Sequence, residues 1–501
     1  MVSLDKSRGR GRARVTTRER RRSGLFDPAL AERYRIILLA ALLAACAMLG
    51  GASRTDVLAH MPLRILSIVV IFAALWSPNF VRMNRYRPLF VIFGLALAIP
   101  LAQSIPLPHG LWAAIPGHGF YADIIKDAGL MESWRPISLT PTLTFNAFLA
   151  MLVPLAALVV ASQIEPERLP LLLVMIVVLA AASMLLGYAQ AAGGPASALR
   201  FYRVTNPDSM VGFFANRNHH ALLIAMALPV MCVLGVTYRD NPTWKHLGAP
   251  LMLGGVGIML VTLLLTGSRA GLLVGALGLL AGAWLAAAIF QRQLQSHGQG
   301  GAKRAPRGNS AMGNRLTVLI KPTNVLLLAG AGIAVVALLF ANSATMQRLI
   351  RTDGIEGDRL SYYPAMWELF VAHFPFGTGL GGFSTIYRRF EVPAELQTAY
   401  LNHAHNDPFQ IGIEAGIFGL IVLALFVLWW LRAAFKIWRG PVSRSFKGNI
   451  GRLASVMTAM AMLASLVDYP MRTPIHAVVF IILCVVMHRA AGSRSAAASQ
   501  G

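Results

Sequence analysis

The chain has 501 residues, of which 56% are hydrophobic and only 13% are charged, and its mean hydropathy is +0.59. This composition excludes a soluble globular protein, which would need a more polar surface, and indicates an integral membrane protein. The net charge of +24 would suit a nucleic-acid partner only if the basic residues formed a solvated binding surface.

Apolar segments long enough to cross the hydrocarbon core of a bilayer recur along the whole chain. We predict an all-α, polytopic membrane protein with about twelve transmembrane helices and both termini in the cytoplasm. The predicted spans are residues 36–52, 63–78, 88–104, 143–162, 170–190, 220–238, 247–266, 270–290, 324–342, 411–431, 452–468 and 474–488.

The basic residues are concentrated on one side of this predicted topology. With the N-terminus inside, the inner segments hold 31 of the 45 Lys and Arg residues but only 7 of the 21 Asp and Glu residues. This is the positive-inside pattern of membrane proteins. The tail "RGRGRARVTTRERRR" is therefore interpreted as a topology signal and a contact for anionic membrane lipids, and no nucleic-acid partner is predicted.

The predicted topology divides the chain into four parts. They are a basic cytoplasmic tail (1–35), N-terminal transmembrane helices with a periplasmic loop at 105–142 (36–200), a core with a large periplasmic loop at 343–410 between the ninth and tenth helices (201–475), and the last helix with a cytoplasmic tail (476–501). Long loops in compact domains usually carry function, so the predicted active site lies in the outer loops.

Three outer segments carry basic or amide side chains. "NRNHHA" places Arg217 and Asn218 where a span opens, and "VDYPMRTP" places Asp468 and Arg472 in the last outer turn. Either group could line a glycan groove or satisfy helix ends. The apolar stretch 247–290 is too long for one span, and "TGSRAG" is its polar break, so Arg269 is predicted at the tip of a tight hairpin.

The large outer loop begins with a predicted amphipathic helix. In "RLSYYPAMWELFVAHF", apolar residues recur at near-helical spacing after Arg359, which indicates a helix at the membrane interface. The glycine-rich "PFGTGLGGF" follows and is interpreted as a turn, because no strand precedes it as a phosphate-binding loop would require.

The segment "HAHNDPFQIGIEAGIFG" combines a polar loop with the start of an apolar helix. Asp407 before a proline predicts an N-cap, with Gln410 completing a capping box, so His403, His405 and Asn406 lie on the preceding loop. His405 can act as a general base or be a hydrogen-bonded surface histidine, and the local pattern leaves both open. Metal binding is disfavoured, because two histidines two residues apart suit a strand better than this loop.

Two features inside the following helix point in different directions. Glu414 is an ionisable residue in a membrane helix and is therefore a functional candidate, with a buried structural contact as the alternative. Gly412 and Gly416 predict close helix packing. Arg269, Arg359 and His405 face the same side, a combination that suits a diphosphate held by guanidinium groups beside a base.

These motifs, in this order from about residue 200 to residue 475, resemble the O-antigen ligase and polymerase superfamily of bacterial envelope glycan enzymes. The motifs are "NRNHHA", "TGSRAG", "GDRLSYYPAMW", "PFGTGLGGF" and "HAHNDPFQIGIEAGIFG"; the N-terminal part is similar only in hydropathy and helix number. Asp407 and Pro408 depart from relatives, which often have an apolar or aromatic residue after the asparagine, and this places a catalytic role of Asp407 in doubt.

The resemblance implies an enzyme of the bacterial inner membrane whose active site faces the periplasm. Its donor would be a glycan on undecaprenyl diphosphate, and its acceptor either lipid A-core (a ligase) or a second lipid-linked glycan (an O-antigen or exopolysaccharide polymerase). His405 would be the base, Arg269 and Arg359 would hold the diphosphate, and no cofactor or metal would be needed. Glu414 is a further catalytic candidate, and the substrate-binding candidates are His403, Asn406, Arg217, Asn218 and Arg472.

A transporter or flippase of a lipid-linked glycan is the alternative from another functional class. Twelve spans with polar residues inside them would suit it. The absence of a sequence repeat and the position of the polar motifs on one face, away from the midplane, argue against it.

Overall fold

The computed structural model describes residues 28–237, 248–300, 321–325, 327, 330, 361–392 and 400–498. Its helices are α1 (Pro28–Leu49), α2 (His60–Trp76), α3 (Phe80–Asn84), α4 (Arg87–Gln103), α5 (His109–Ala113), α6 (Gly119–Asp127), α7 (Pro141–Ala161), α8 (Leu169–Ala192), α9 (Arg217–Thr237), α10 (Gly248–Thr266), α11 (Arg269–Gly300), α12 (Tyr363–His373), α13 (Phe383–Ile386), α14 (Asp407–Arg439), α15 (Ile450–Ser465) and α16 (Pro474–Ala498). The one sheet in these residues is an antiparallel ladder between β1 (Pro106–Leu107) and β2 (Arg135–Pro136).

The prediction of a helical membrane protein is confirmed. Within the described ranges, α7, α8, α9, α11, α14 and α16 are long and apolar enough to cross a membrane, and α2, α4 and most of α10 are shorter apolar helices. Eleven of the twelve predicted spans coincide with a helix. The remaining span, 324–342, is the ninth in chain order and lies almost wholly outside the described residues. The number of crossings and the orientation of the termini remain predictions.

Helix α9 lies at the centre of the bundle and is buried along most of its length. It packs against α8, α10, α11 and α15. Helix α11 approaches it closely through a stripe of glycines; a Cβ at Gly282 would lie 2.6 Å from the Cα of Pro229, and a Cβ at Gly278 would lie 3.0 Å from the carbonyl of Ala225. Small residues permit this approach, because in lipid the packing of backbones contributes much of the helix association.

Helix α14 is broken at Gly416, whose φ of 56° and ψ of −144° leave the helical region. The glycine-rich segment after α12 fills the break: Gly379 N donates to the carbonyl of Glu414 (3.0 Å), and Ile417 N donates to the carbonyl of Pro375 (2.9 Å). The predicted turn in this segment is confirmed. The prediction that Gly416 serves helix packing is wrong, because the residue forms a non-helical kink that accepts another part of the chain.

Several loops meet at one end of the bundle. The carbonyls of Gly50 and Gly51 accept hydrogen bonds from Ile475 N (3.2 Å) and Ala215 N (3.0 Å), joining the α1–α2, α8–α9 and α15–α16 connections. The predicted hairpin is present, since α10 ends at Thr266 and α11 begins at Arg269. These connections bring the polar motifs of distant sequence segments to a single end.

Candidate active site

The carboxylate of Asp468 is the centre of the polar cluster. It lies in the turn after α15 and is buried. Its Oδ2 accepts a hydrogen bond from Asn218 Nδ2 (2.8 Å), and its Oδ1 accepts one from Tyr469 N (2.9 Å). Its Oδ1 also lies 3.5 Å from His405 Nδ1 and 3.8 Å from His219 Nε2. Three segments far apart in the sequence therefore meet at one carboxylate.

The environment of Asp468 keeps it ionised. Burial alone would raise its pKa, but the proximity of His219 and His405 holds the pKa well below its usual range. Among the described residues, His405 Nδ1 has no hydrogen-bond partner, so its 3.5 Å contact with Asp468 is an electrostatic one. A carboxylate beside an imidazole favours the tautomer with the proton on the nearer nitrogen and stabilises a positive charge on the ring.

The loop conformation sets the position of His405. Its φ of 50° lies in the left-handed region, which is uncommon for a residue with a side chain and recurs at functional sites. The next residue, Asn406, ends the loop by capping α14, because its Oδ1 accepts from Phe409 N (3.0 Å). The prediction of Asp407 as the N-cap is therefore wrong by one residue; Asp407 is the first residue of the helix, and its carboxylate is used elsewhere.

A second network connects the start of α14 to the turn between α15 and α16. Arg472 Nε lies 3.3 Å from Asp407 Oδ1, and Arg472 Nη2 lies 3.1 Å from Glu414 Oε2. Glu414 is completely buried and also accepts from Gln410 Nε2 (2.9 Å) and from Phe383 N (3.2 Å). Burial would lower the pKa of Arg472, but Glu414 and Asp407 raise it, so the guanidinium stays charged.

Gln410 connects this second network to the histidine loop. Its Oε1 accepts from Ala404 N (2.9 Å), and its Nε2 lies 3.3 Å from His403 Nδ1. Burial, together with the charge of Arg472, lowers the pKa of His403 well below its usual range, so its ring is neutral and can accept through Nδ1. The capping box predicted for Gln410 is absent; the side chain instead fixes the loop that carries His405.

We expect Glu414→Gln to lower the free energy of unfolding by about 1–3 kcal/mol, because it removes one of two carboxylates from the partly buried Arg472 guanidinium. Thermal unfolding of the purified protein in detergent measures the change. Arg472→Met should cost more than Glu414→Gln, because it leaves the two buried carboxylates of Asp407 and Glu414 without their guanidinium. A single variant as stable as wild type would show that the ion pair contributes nothing to the fold.

Two adjoining cavities border these networks. A mainly apolar groove of about 740 Å³ lies between α2, α7, α14, α15 and α16, and is lined at its polar end by His403, Asp407, Glu414 and Arg472. A smaller, more polar cavity of about 450 Å³ is lined by His405, His219, Tyr469, Glu391, Tyr400 and three asparagines, Asn206, Asn216 and Asn402. Ser53, Arg54 and Asn402 line both cavities.

Tyr469 separates the two histidines of the loop. Its ring centroid lies 4.3 Å from that of His403, which lines the apolar groove, and 4.8 Å from that of His405, which lines the polar cavity. His405 and the Arg472 network therefore line different cavities on either side of one aromatic ring.

The predicted site residues fall into three groups. His403, His405, Asn406, Glu414, Asn218 and Arg472 come together around Asp468 and Gln410. Arg217 begins α9, where its backbone N–H donates to Asn206 Oδ1 (3.0 Å), and the exposed Arg269 begins α11. The residue after Arg269 lines a small cavity with Asn218 and Asp468, which places the hairpin beside the cluster. Arg359 lies outside the described residues.

Sequence reasoning missed the roles of Asp468, Gln410 and Tyr469. Asp468 carries the one usable signal, since a carboxylate in a short turn between two apolar helices is costly without a partner. Nothing in the local sequence distinguishes Tyr469 from an interfacial tyrosine. Gln410 matches a capping-box pattern, and that pattern gives no reason to expect its contact with Glu414 one helical turn later.

Among the described residues, no group of three His, Cys, Asp or Glu side chains is arranged to hold a metal ion. The cluster itself offers histidines, the Arg472 guanidinium and amide hydrogen-bond donors. Such a set can take a proton from a hydroxyl and stabilise a departing anion.

Comparison with known proteins gives a match over part of the chain. No curated protein matches the chain. A family model described as O-antigen ligase matches residues 254–424, which include the α10–α11 hairpin, the glycine-rich segment, the His405 loop and the broken first part of α14. The match covers about a third of the chain, and it is consistent with the resemblance of the motifs to the O-antigen ligase and polymerase superfamily.

Proposed function

We propose that this protein is a glycosyltransferase that moves a glycan from undecaprenyl diphosphate to an acceptor hydroxyl at the periplasmic face of the bacterial inner membrane. The observation that carries the proposal is the pairing of His405 Nδ1 with the buried Asp468 carboxylate, 3.5 Å away, on the wall of a polar cavity. The O-antigen ligase domain supports the same reaction class.

His405 is the proposed base of the transfer. Asp468 holds the proton on Nδ1, which leaves Nε2 to accept the proton of the acceptor hydroxyl as the oxygen attacks the sugar. The polar cavity is the proposed place for that hydroxyl, because its asparagines, Glu391 and tyrosines can bind sugar hydroxyls and stack on sugar rings.

The apolar groove is the proposed place for the donor lipid. Its walls include Leu423, Phe426 and Phe480, which can contact an isoprenoid chain, and its polar end contains Arg472. Guanidinium groups bind phosphate oxygens in pairs and stabilise the negative charge that develops on the leaving diphosphate. Arg269 and Arg359 remain proposed ligands of this diphosphate, and Arg217 a proposed contact of the glycan.

The driving force for the reaction is contained in the donor. The periplasm has no ATP, so the glycosyl–diphosphate bond must supply the free energy. Cleavage of this bond releases undecaprenyl diphosphate, and His405, the proposed base, takes up the proton of the acceptor hydroxyl. Lipid A-core and a second lipid-linked glycan both offer a hydroxyl, so ligation and polymerisation are two versions of one reaction in this proposal.

A flippase is the competing proposal from another class. It would place polar groups along a path through the bilayer. The collection of His405, Asp468 and Arg472 at one end of the bundle instead supports chemistry at a membrane surface.

Transfer by the purified protein tests the proposal. The protein in detergent is mixed with undecaprenyl-diphosphate glycan and each acceptor in turn, with and without a chelator, and the product is separated by size. We expect a lipid A-core or lipid-linked product in one arm and free undecaprenyl diphosphate in equal amount. Absence of product with every acceptor, together with glycan-lipid movement in proteoliposomes, would favour the flippase.

A further inference from the structure

The apolar groove contains an arginine that the proposed mechanism does not use. Arg64 lies on α2, one helical turn after His60, and is half-buried. Its Nη1 donates to Asn146 Oδ1 on α7 at 2.7 Å. Arg64, Asn146 and His60 all line the groove that also contains Arg472.

Arg64 differs from the other groove arginines in the charge of its partner. Arg54 is paired with Asp56 at 2.9 Å, and Arg472 is paired with both Asp407 and Glu414. In the part of the chain that the structure describes, no carboxylate lies within ion-pair distance of Arg64, and its hydrogen-bond partner is a neutral amide. A partly buried guanidinium beside a neutral partner is costly unless an anion joins it.

The Arg472 cluster is by itself a poor site for a diphosphate. One guanidinium and two carboxylates carry a net negative charge, which repels an anion. Arg269, a proposed diphosphate ligand, does not line this groove, so a further cation on the groove wall would strengthen diphosphate binding there. Arg64 supplies this charge from the wall formed by α2 and α7.

Two neighbouring side chains could add hydrogen-bond donors beside Arg64, His60 only in the tautomer with its proton on Nε2. Asn146 accepts from Arg64 through Oδ1, which leaves its Nδ2 group as a donor. His60 is buried, and its Nε2 has no hydrogen-bond partner among the described residues. Residues 60 and 64 share one face of α2, because they are four positions apart in a helix.

We propose that Arg64, with Asn146 and His60, is a phosphate-binding site for the lipid-linked diphosphate that enters the groove. The inference rests on the proposed function and adds a binding residue that lies outside the O-antigen ligase domain at 254–424. Anionic phospholipids present the same phosphate chemistry, so the test must separate the two sources.

Equilibrium binding in zwitterionic nanodiscs separates them. The probes are undecaprenyl diphosphate, undecaprenol, which lacks phosphate, and phosphatidylglycerol. We expect Arg64→Gln to weaken binding of undecaprenyl diphosphate by about 10–100-fold, the effect of losing a charge-assisted hydrogen bond, and Arg64→Lys to weaken it less. Undecaprenol binding should not change. Arg87→Gln, an exposed arginine at the opposite end of α4 from the site, is the matched control and should bind as wild type.

Each other outcome overturns the inference. Undecaprenyl diphosphate bound equally by Arg64→Gln and wild type would show that Arg64 does not bind the donor. Equal loss of undecaprenol binding would show that the variant alters the groove itself, and a loss confined to phosphatidylglycerol would make Arg64 a membrane-lipid contact. The transfer assay distinguishes failure of the proposed function from failure of the inference. A protein that binds the donor through Arg64 without transferring glycan refutes the function alone. Transfer at the wild-type rate by Arg64→Gln refutes the inference alone.

Discussion

His405→Ala should lower glycan transfer by about 10²–10⁴-fold, the usual contribution of a positioned general base. The variant removes Nε2, which is proposed to accept the proton of the acceptor hydroxyl, and leaves the Arg472 network in the adjoining groove in place. The measurement is the initial rate of transfer by purified protein under saturating donor. Undecaprenyl diphosphate should still bind, because His405 does not line the groove assigned to the lipid.

Asp468→Asn tests the proposed pair of His405 and Asp468 through its carboxylate. It removes the negative charge that orients the His405 ring while leaving a side chain of similar size. We expect the double variant, His405→Ala with Asp468→Asn, to be no slower than the worse of the two single variants, because residues that act as one unit have non-additive effects. Rates that multiply would show that the two residues act independently.

His109→Ala is the matched control for the base. His109 begins the short helix α5 in another loop and lines neither cavity. It should transfer glycan at the wild-type rate. If His405→Ala does so too, with the fold intact, then the loop histidine is only a well-positioned surface residue, as the local sequence pattern also allowed.

The sequence predicted those parts of the site that depend on local pattern. Glu414 was found because a carboxylate inside an apolar helix is conspicuous, and the α10–α11 hairpin because the apolar stretch is too long for one span. The role of Asp468 depends on contacts with residues 218 and 405, which local pattern cannot supply. Arg472 was expected to bind substrate, and the structure pairs it with two carboxylates whose proximity in space is likewise a tertiary property.

The break in α14 is another feature that the local sequence pattern does not predict. The spacing of Gly412 and Gly416 is typical of helix packing, and nothing local distinguishes it from a kink. The kink exists because a segment about forty residues earlier inserts its carbonyls and amides into the helix. The carbonyl of Glu414, freed from its helical partner, accepts from Gly379 N and from Gln103 Nε2 (2.9 Å), so the break also ties α4 to the site.

Gly416→Ala should therefore be among the most damaging single substitutions in the chain. A Cβ at this position would lie 1.9 Å from the carbonyl oxygen of Pro375, and the φ of 56° is strained for any residue with a side chain. Relief requires the glycine-rich segment to withdraw, which breaks the bonds to Ile417 N and the Glu414 carbonyl. We expect the free energy of unfolding to fall by about 3 kcal/mol or more, and transfer to be lost with the displaced Glu414–Arg472 pair.

Thermal unfolding in detergent, with Gly94→Ala as the matched control, checks this expectation. Gly94 lies inside α4, where an added Cβ meets no atom within 4 Å, so alanine there should be neutral or stabilise the protein by about 0.5–1 kcal/mol. Equal stability of Gly416→Ala and wild type would mean that α14 can run straight without loss to the fold. Since the first turns of α14 carry Asp407, Gln410 and Glu414, a straight helix that retained transfer would also refute the assignment of this network to the site.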